Sequence, residues 1–316
     1  MALYRTYSDY LKEKYNEKVY KIPIALPVTC PNRDGTLDSD GCIFCGSIRA
    51  DYETKAMGME ITRQIDRSIS HVGPKYKAKK FIAYFLNFTN TYMPLSRFRY
   101  CVGEACGHPD IVGLAVSTRP DCIHESYLEV LRETQGKYGT NITVELGLQS
   151  VNSHTLLKIG RCHTVAEFID AALQIGRYHF DLCAHIIADL PWDDRIDVEE
   201  AAKLVSVLPV TEIKIHSLYI IKGTKLAKMY EKGDIKLLPP EEYAERVVLI
   251  LSMLRPDIVV QRIVGRASAN TLSVNGGRPW WEVKEYIEKL MRNRHIQQGS
   301  ACNYLHGAAV RRFLHE

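Results

Sequence analysis

Hydrophobic residues along the chain follow two alternating patterns. Short runs rich in isoleucine, valine, leucine and aromatic residues predict buried strands, and longer segments with apolar residues three or four apart predict amphipathic helices. The predicted strands are 21–28, 81–88, 111–117, 142–148, 182–190, 212–221 and 258–264. The predicted helices are 57–72, 95–105, 124–136, 153–178, 194–207 and 240–254.

This alternation predicts an α/β fold in which single helices cross between parallel strands. About six β/α units are visible, fewer than the eight of a complete barrel, so we expect a partial (β/α)6 barrel. After residue 265 the pattern changes to a loop and then to a basic amphipathic helix, WWEVKEYIEKLMRNRHIQQ. We therefore expect a barrel core over 1–265 and a short C-terminal helical extension over 266–316.

Composition narrows the class of protein. The chain has 316 residues, of which 46% are hydrophobic and 25% are charged, as is typical of soluble globular proteins. No apolar run approaches the roughly 18 residues of a membrane span, and the charged first residues do not resemble a signal peptide. Nine cysteines, an odd number, fit a reducing cytoplasm better than a disulfide framework. The net charge of +4 permits a nucleic-acid partner without requiring one.

Three cysteines follow directly on the first predicted strand, in TCPNRDGTLDSDGCIFC. In parallel α/β folds the working loops lie at this end of the strands, and the turn-forming residues between Cys30 and Cys42 allow the loop to bring three thiols together. One interpretation is a zinc site in which Cys30, Cys42 and Cys45 are joined by His71 or another cysteine. The other is a 4Fe–4S cluster held by three cysteines, which leaves one iron free to bind a small molecule.

The three-cysteine loop after the first strand resembles that of the radical S-adenosylmethionine (SAM) superfamily. The stretches STRPDC (117–122), VELGLQSVNSHTLLKIGRCHT (144–164), AHIIADLP (184–191) and IKGT (221–224) resemble the radical SAM domain of the elongator catalytic subunit. With CPNRDGT and FTNTYMP, the run from about 15 to 300 is more similar still to small bacterial proteins of YtqA/YhcC type. Three departures stand out: the first cysteine gap has eleven residues instead of three, NFTNT replaces the usual Gly-Gly-Glu, and an acetyltransferase domain is absent.

The resemblance implies cofactors, partners and a substrate. It implies a 4Fe–4S cluster on Cys30, Cys42 and Cys45, with SAM on the open iron, and reductive cleavage of SAM to a 5′-deoxyadenosyl radical that abstracts a substrate hydrogen. An electron donor such as flavodoxin or ferredoxin would supply the electron. The implied substrate is transfer RNA (tRNA), at the 5-position substituent of the wobble uridine.

Polar residues at the ends of the second and third strands are candidates for SAM contacts. Thr89 and Asn90 would offer donors and acceptors to the SAM amino group, unless they only cap a turn. Thr118 and Arg119 end the third strand. The arginine would pair with a carboxylate of SAM or substrate, unless Asp121 takes that place in an ordinary ion pair.

Three further pairs of polar residues each lie on one face of a later strand, since side chains two or four apart in a strand point the same way. They are Glu145 and Gln149, His185 and Asp189, and Lys214 and His216. The first two pairs are candidates for cofactor contacts, with satisfied core hydrogen bonds as the alternative. The third pair is a candidate for the substrate side and for catalysis, because a buried lysine needs a compensating partner.

Two basic stretches are suited to phosphate contact: Lys75, Lys77, Lys79 and Lys80, and Arg292, Arg294, His295, Arg311 and Arg312. Two other functions stay open, namely a radical SAM enzyme acting on a small metabolite or peptide, and a zinc-stabilised, non-enzymatic RNA-binding module. The remaining cysteines, Cys101, Cys106, Cys122, Cys162, Cys183 and Cys302, are predicted to be ordinary packing residues.

Overall fold

The computed structural model describes residues 2–46, 58–266 and 270–313. Its main sheet has seven parallel strands in the order β1-β2-β3-β4-β5-β6-β8. These strands are β1 (Val19–Ile24), β2 (Lys80–Phe85), β3 (Ile111–Thr118), β4 (Asn141–Gln149), β5 (Asp181–Ile187), β6 (Glu212–His216) and β8 (Val259–Arg262). The seven strands follow the predicted chain order, and the predicted partial barrel is confirmed.

Helices precede, connect and follow the strands. They are α1 (Tyr7–Tyr15), α2 (Ile61–Tyr76), α3 (Leu95–Cys106), α4 (Glu125–Tyr138), α5 (Ser153–Lys158), α6 (Val165–Arg177), α7 (Arg195–Val207), α8 (Lys225–Lys232), α9 (Pro240–Met253) and α10 (Trp280–Asn293). Capping boxes at Thr164 and Asp194 satisfy the first backbone amides of α6 and α7. Strands and helices share one large apolar core, in which the middle strands β3, β4 and β5 are almost completely buried.

Some predicted elements divide in the structure. The predicted helix 153–178 is wrong as a single element, because Gly160 and Cys162 adopt positive φ angles of 65° and 54° between α5 and α6. The predicted strand 212–221 ends at His216, and a separate short strand, β7 (Ile220–Ile221), pairs antiparallel with β9 (Thr271–Ser273). That ribbon also corrects the predicted loop after residue 265. Residue 57 of the first predicted helix and residues 267–269 of that loop lie outside the described residues.

Helices at the two ends of the chain complete the sheet. The side chain of Leu11 on α1 packs against Val19, Ile82 and Ala115, so α1 lies across the amino-terminal ends of the strands. Lys14 on the same helix places its Nζ 2.8 Å from Asp181, the first residue of β5.

The C-terminal helix α10 packs onto the barrel. It buries Val283, Ile287 and Met291 in the main core. A division of the chain at residue 265 stays a prediction. In the described part of the chain, no helix is both long and apolar enough to cross a bilayer.

Candidate functional site

The cysteine loop is folded by its own turns. The backbone amide of Arg33 donates to the carbonyl of Cys30 at 2.8 Å, and that of Gly41 donates to the carbonyl of Asn32 at 2.6 Å. Gly41 has a φ of 75°, a left-handed conformation that glycine adopts without strain. These turns bring the chain back on itself, so that Cys30 and Cys42 line the same cavity although eleven residues separate them.

The turn that carries the second and third cysteines is held from both sides. The amide of Cys45 donates to the carbonyl of Cys42 at 2.9 Å, which closes the turn. Between them, Ile43 donates its amide to Ile159 at 3.1 Å and accepts from the amide of Leu226 at 2.9 Å. The turn is therefore fixed between the end of α5 and the start of α8.

All three cysteines line one cavity of about 90 Å³ at the carboxyl ends of the strands. Six of the other predicted residues line it too: Thr89, Thr118, Arg119, Glu145, Gln149 and His185. The structure therefore brings together side chains from the ends of β1 to β5, which are far apart in the sequence. The remaining candidates, Asn90, Asp189, Lys214 and His216, do not line this cavity.

The spacing of the cysteines bears on which metal they suit. Thiolates around a single zinc ion lie about 2.3 Å from the metal, which brings the sulfur atoms within about 4 Å of one another. In the described part of the chain, the one group of three potential ligands whose atoms all lie within 4.8 Å is Glu145, Cys183 and His185. At least one pair of the loop sulfurs is therefore more than 4.8 Å apart, which is wider than one zinc ion requires. A cluster that gives each cysteine its own iron does not need closer sulfurs. His71, the proposed fourth zinc ligand, lies exposed on α2.

Three polar side chains that the sequence interpretation did not assign point at the cysteine sulfurs. Asn32 Nδ2 lies 3.6 Å from Cys42 Sγ, Arg161 Nη1 lies 3.7 Å from the same sulfur, and Arg33 Nη1 lies 3.5 Å from Cys45 Sγ. Nearby cations and N–H donors stabilise thiolate sulfur and tune the reduction potential of a cluster. All three lie within the sequence stretches quoted above, and this position was the only feature of the sequence that could have indicated a role at the site.

Several buried polar atoms without a hydrogen-bond partner belong to residues that line the cavity. Of the nine such side-chain atoms among the described residues, four are of this kind: Asn32 Oδ1, Thr89 Oγ1, Arg119 Nη1 and Arg161 Nε. Buried polar groups are normally paired, and an unpaired group therefore needs an explanation. A polar ligand in the cavity would satisfy several of these atoms at once.

Two of the other residues predicted to contact the cofactor form side-chain hydrogen bonds to the backbone instead. Asn90 donates its amide to the carbonyls of Phe85, Asn87 and Ser117 at 2.8 to 3.0 Å and so ties β2 to β3. Asp189 accepts a hydrogen bond from the amide of Leu218 at 2.7 Å, and burial raises the pKa of its carboxyl to about 7. These contacts correspond to the alternative in which the residues complete the core.

Arg119 is buried beside the cysteines. Its Nε and Nη2 donate to the two carboxylate oxygens of Asp121 at 2.8 and 2.7 Å. Burial opposes the charge of Arg119, but this bidentate pair and the sulfurs of Cys30 and Cys42 raise its pKa above the usual value. With Nη1 unpartnered, the guanidinium retains one donor for a ligand in the cavity.

Glu145 forms the floor of the cavity and is completely buried. Its Oε1 accepts from Lys21 Nζ at 2.8 Å, and its Oε2 accepts from Lys214 Nζ at 2.5 Å and from His185 Nε2 at 3.0 Å. Burial alone would raise the pKa of this carboxyl, but the two ammonium groups hold it well below its usual range. Because two lysines already compensate Glu145, the group of Glu145, Cys183 and His185 is not suited to a metal cation.

His185 is neutral in this setting. Burial and the charge of Lys214 lower its pKa to about 4, against the opposing effect of Glu145. The ionised Glu145 only accepts hydrogen bonds, which places the imidazole proton on Nε2 and leaves Nδ1 as an acceptor. The ring of His216 lies 5.1 Å from that of His185, and its Nδ1 lies 3.1 Å from Arg262 Nη2.

Comparisons with known proteins identify the family. A model described as the Radical SAM C-terminal domain matches residues 210–293. The chain is 34% identical to the uncharacterized protein YtqA of Bacillus subtilis over 300 residues, covering 94% of this chain and 92% of that protein. It is 30% identical to protein YhcC of Escherichia coli over 301 residues, covering 92% and 93%. The chain belongs to the radical SAM superfamily, among proteins of YtqA/YhcC type.

The fold of this radical SAM protein is also that of Elp3 from the archaeon Methanocaldococcus infernus. The two structures superpose with a TM-score of 0.61 at 17% identity, covering 89% of this chain and 64% of that one. At this identity the superposition shows a shared fold, and the predicted family resemblance is confirmed by the sequence identity to YtqA and YhcC.

Radical SAM relatives of this protein bind a 4Fe–4S cluster and SAM. The thiol spacing and the unpaired polar atoms around the cavity fit these groups.

Three of the six other cysteines of this radical SAM protein are buried. Cys101 and Cys106 are buried in the core on α3, and Cys183 is buried on β5, as predicted. The prediction is wrong for Cys162, which is exposed in the left-handed connection between α5 and α6.

Proposed function

We propose that this radical SAM enzyme modifies the wobble uridine of tRNA. The reaction would oxidise the glycine-like methylene of carboxymethylaminomethyluridine to an imine, with SAM as the two-electron oxidant that ends as methionine and 5′-deoxyadenosine. Water would then split the imine, release glyoxylate and leave aminomethyluridine, which a separate methyltransferase would convert to 5-methylaminomethyluridine. The resemblance to the elongator catalytic subunit and to YtqA/YhcC-type proteins supports this substrate. The bound cofactors would supply a 5′-deoxyadenosyl radical that removes one hydrogen from the glycine-like methylene, where nitrogen and carboxylate flank the resulting radical.

The residues of the cavity have distinct roles in this proposal. Cys30, Cys42 and Cys45 hold the cluster, and Arg119 and Gln149 bind SAM. The observation that supports these roles is that three cysteines line one cavity together with four side chains whose buried polar atoms have no hydrogen-bond partner. Asn90, Asp189 and His216 keep structural roles, and Lys214 lies on the substrate side of Glu145.

The substrate is tested by a nucleoside profile of tRNA from cells with and without this gene, measured by mass spectrometry. We expect carboxymethylaminomethyluridine to accumulate and its aminomethyl products to fall in cells that lack the gene, and a plasmid copy of the gene to reverse both changes. An unchanged profile, in an organism that makes these nucleosides without a redundant enzyme, would contradict the tRNA substrate. It would favour a small metabolite or a peptide instead.

A Gln149→Ala variant is expected to bind SAM about tenfold or more weakly, with unchanged iron content. Gln149 lines the cavity and is not one of the three cysteines, so its loss would remove a hydrogen bond to a polar ligand and not a metal ligand. Isothermal titration of the reconstituted protein with SAM measures the affinity. A Gln174→Ala variant, on the outer helix α6, is the matched control. Equal SAM affinity in the two variants would make Gln149 a packing residue.

A further inference from the structure

A second and larger space opens between the two edges of the sheet. The groove, of about 780 Å³, lies between α1, the start of β1, β8 and the first turn of α10. Among the described residues that line it are seven lysines and arginines and one glutamate. Four of these cations form ion pairs, Lys12 with Asp9, Lys21 and Lys214 with Glu145, and Lys284 with Glu288, whereas Lys18, Arg262 and Arg266 form no salt bridge among the described residues. The groove therefore keeps an excess of positive charge. Such a field favours an anionic partner.

The outer rim of the groove combines aromatic rings with cations. The ring of Tyr20 stacks on that of Tyr76, with centroids 4.4 Å apart and planes 18° apart, and Lys75 Nζ lies 5.4 Å from the Tyr76 ring. Across the groove, the guanidinium of Arg266 lies 4.3 Å from the centre of the Trp280 ring. Aromatic faces beside Lys and Arg form the platforms on which single-stranded nucleic acids stack their bases.

The inner end of the groove reaches the wall of the cofactor cavity. Lys21 and Lys214 line the groove, whereas their partner Glu145 lines the cavity. A single layer of ion-paired side chains thus separates the two spaces. Arg262 also lines the groove, and its buried Nε has no hydrogen-bond partner. Besides the two lysines that pair with Glu145, Arg262 adds a positive charge at this end for an anionic group of the substrate.

We propose that this groove binds a single-stranded segment of RNA. Trp280 with Arg266 on one rim, and Tyr20 with Tyr76 on the other, stack nucleobases and contact phosphates. Lys214 and Arg262 receive the anionic end of the target nucleotide beside the cofactor cavity. The inference rests on the proposed tRNA substrate and adds where the RNA lies. It also connects the basic stretch that contains Lys75 to the site, whereas Arg294 of the other stretch is neutralised by Glu245 at 2.6 Å. The side chain of Arg312 lies outside the described residues.

Fluorescence anisotropy with a labelled, unmodified anticodon stem–loop RNA and the reconstituted full chain tests the groove. We expect Trp280→Ala to weaken binding about tenfold or more at every salt concentration, since base stacking is lost. We expect Arg266→Gln to weaken binding and to reduce the slope of log affinity against log salt by about 0.7, the change for one phosphate contact on a single strand.

Matched controls separate the groove from general effects. Trp281 is the exposed neighbour of Trp280 and does not line the groove, so Trp281→Ala should bind as the wild type does. Arg177→Gln removes one charge from an exposed site at the end of α6 and should leave the salt slope unchanged. Because Arg266 is exposed, its substitution tests the groove even if Trp280→Ala perturbs folding.

The outcomes distinguish the groove from the proposed function. Wild-type RNA affinity in both the Trp280 and Arg266 variants, together with an altered nucleoside profile in cells that lack the gene, would overturn the groove and leave the function standing. RNA binding that depends on both residues, together with an unchanged profile, would support the groove and contradict the wobble-uridine reaction. Binding of an acidic peptide but of no RNA by the wild-type protein would overturn the RNA proposal.

Discussion

A Cys42→Ala variant is expected to lose SAM cleavage while keeping its fold. Cys42 is the most buried of the three loop cysteines, with 7% of its surface exposed, and its sulfur is contacted by both Asn32 and Arg161. Two remaining thiols cannot supply three ligands to a cluster. The sheet core contains none of the three cysteines, so the loss of one sulfur leaves its packing intact.

The measurement is anaerobic reconstitution followed by iron and sulfide analysis and by chromatographic detection of 5′-deoxyadenosine after reduction. Circular dichroism checks the fold. Cys162→Ala is the matched control, because this exposed cysteine lies close to the loop in space but lines no part of the cavity. Cleavage of SAM at the wild-type rate by the Cys42 variant would remove the cluster assignment.

The sheet could be predicted because each of its strands is a run of apolar residues. Strands buried on both faces read as continuous hydrophobic segments, and β4 and β5 are of this kind. Helix α1 was missed because only Leu11 is buried along its nine residues, so no apolar periodicity marks it. The division between α5 and α6 depends on a left-handed backbone at both Gly160 and Cys162. The glycine was a possible signal, whereas the residue type at position 162 does not indicate this conformation.

The cofactor site could be predicted in part. Cysteine spacing and strand ends indicated the residues that line the cavity, because parallel strands deliver their carboxyl ends to one edge. The contact between Arg161 and Cys42 joins residues 119 positions apart, and only the folded chain shows it. A polar side chain at a strand end can hydrogen-bond to a neighbouring carbonyl as readily as to a ligand. The sequence therefore predicts a cofactor contact for Asn90, whereas its side-chain amide donates to backbone carbonyls.

The ion cluster around Glu145 could not be predicted from the sequence, because its charges come from three separate strands, β1, β4 and β6.

A Glu145→Gln variant is expected to lower the free energy of unfolding at pH 7 by about 3–5 kcal/mol, because it leaves two buried ammonium groups without a counter-charge. The amide that replaces one carboxylate oxygen also turns N–H donors towards groups that donate. Denaturant unfolding followed by circular dichroism measures the change. Glu245→Gln, which breaks an exposed pair with Arg294, should cost about 0–1 kcal/mol.

A second substitution and the pH dependence distinguish the effect of losing the Glu145 charge from the effect of changing the shape of its side chain. Glu145→Gln/Lys214→Met removes one stranded ammonium and should recover part of the lost stability, with a coupling energy of about 1–3 kcal/mol. The folded-state pKa of Glu145 lies well below its unfolded value, so its stabilisation is complete above the unfolded pKa and is lost as pH falls towards the folded one. The difference between wild type and Glu145→Gln should therefore narrow below about pH 4. If the two proteins had the same free energy of unfolding at pH 7, or if the difference between them were the same at pH 7 and below about pH 4, the charge of Glu145 would not stabilise the barrel.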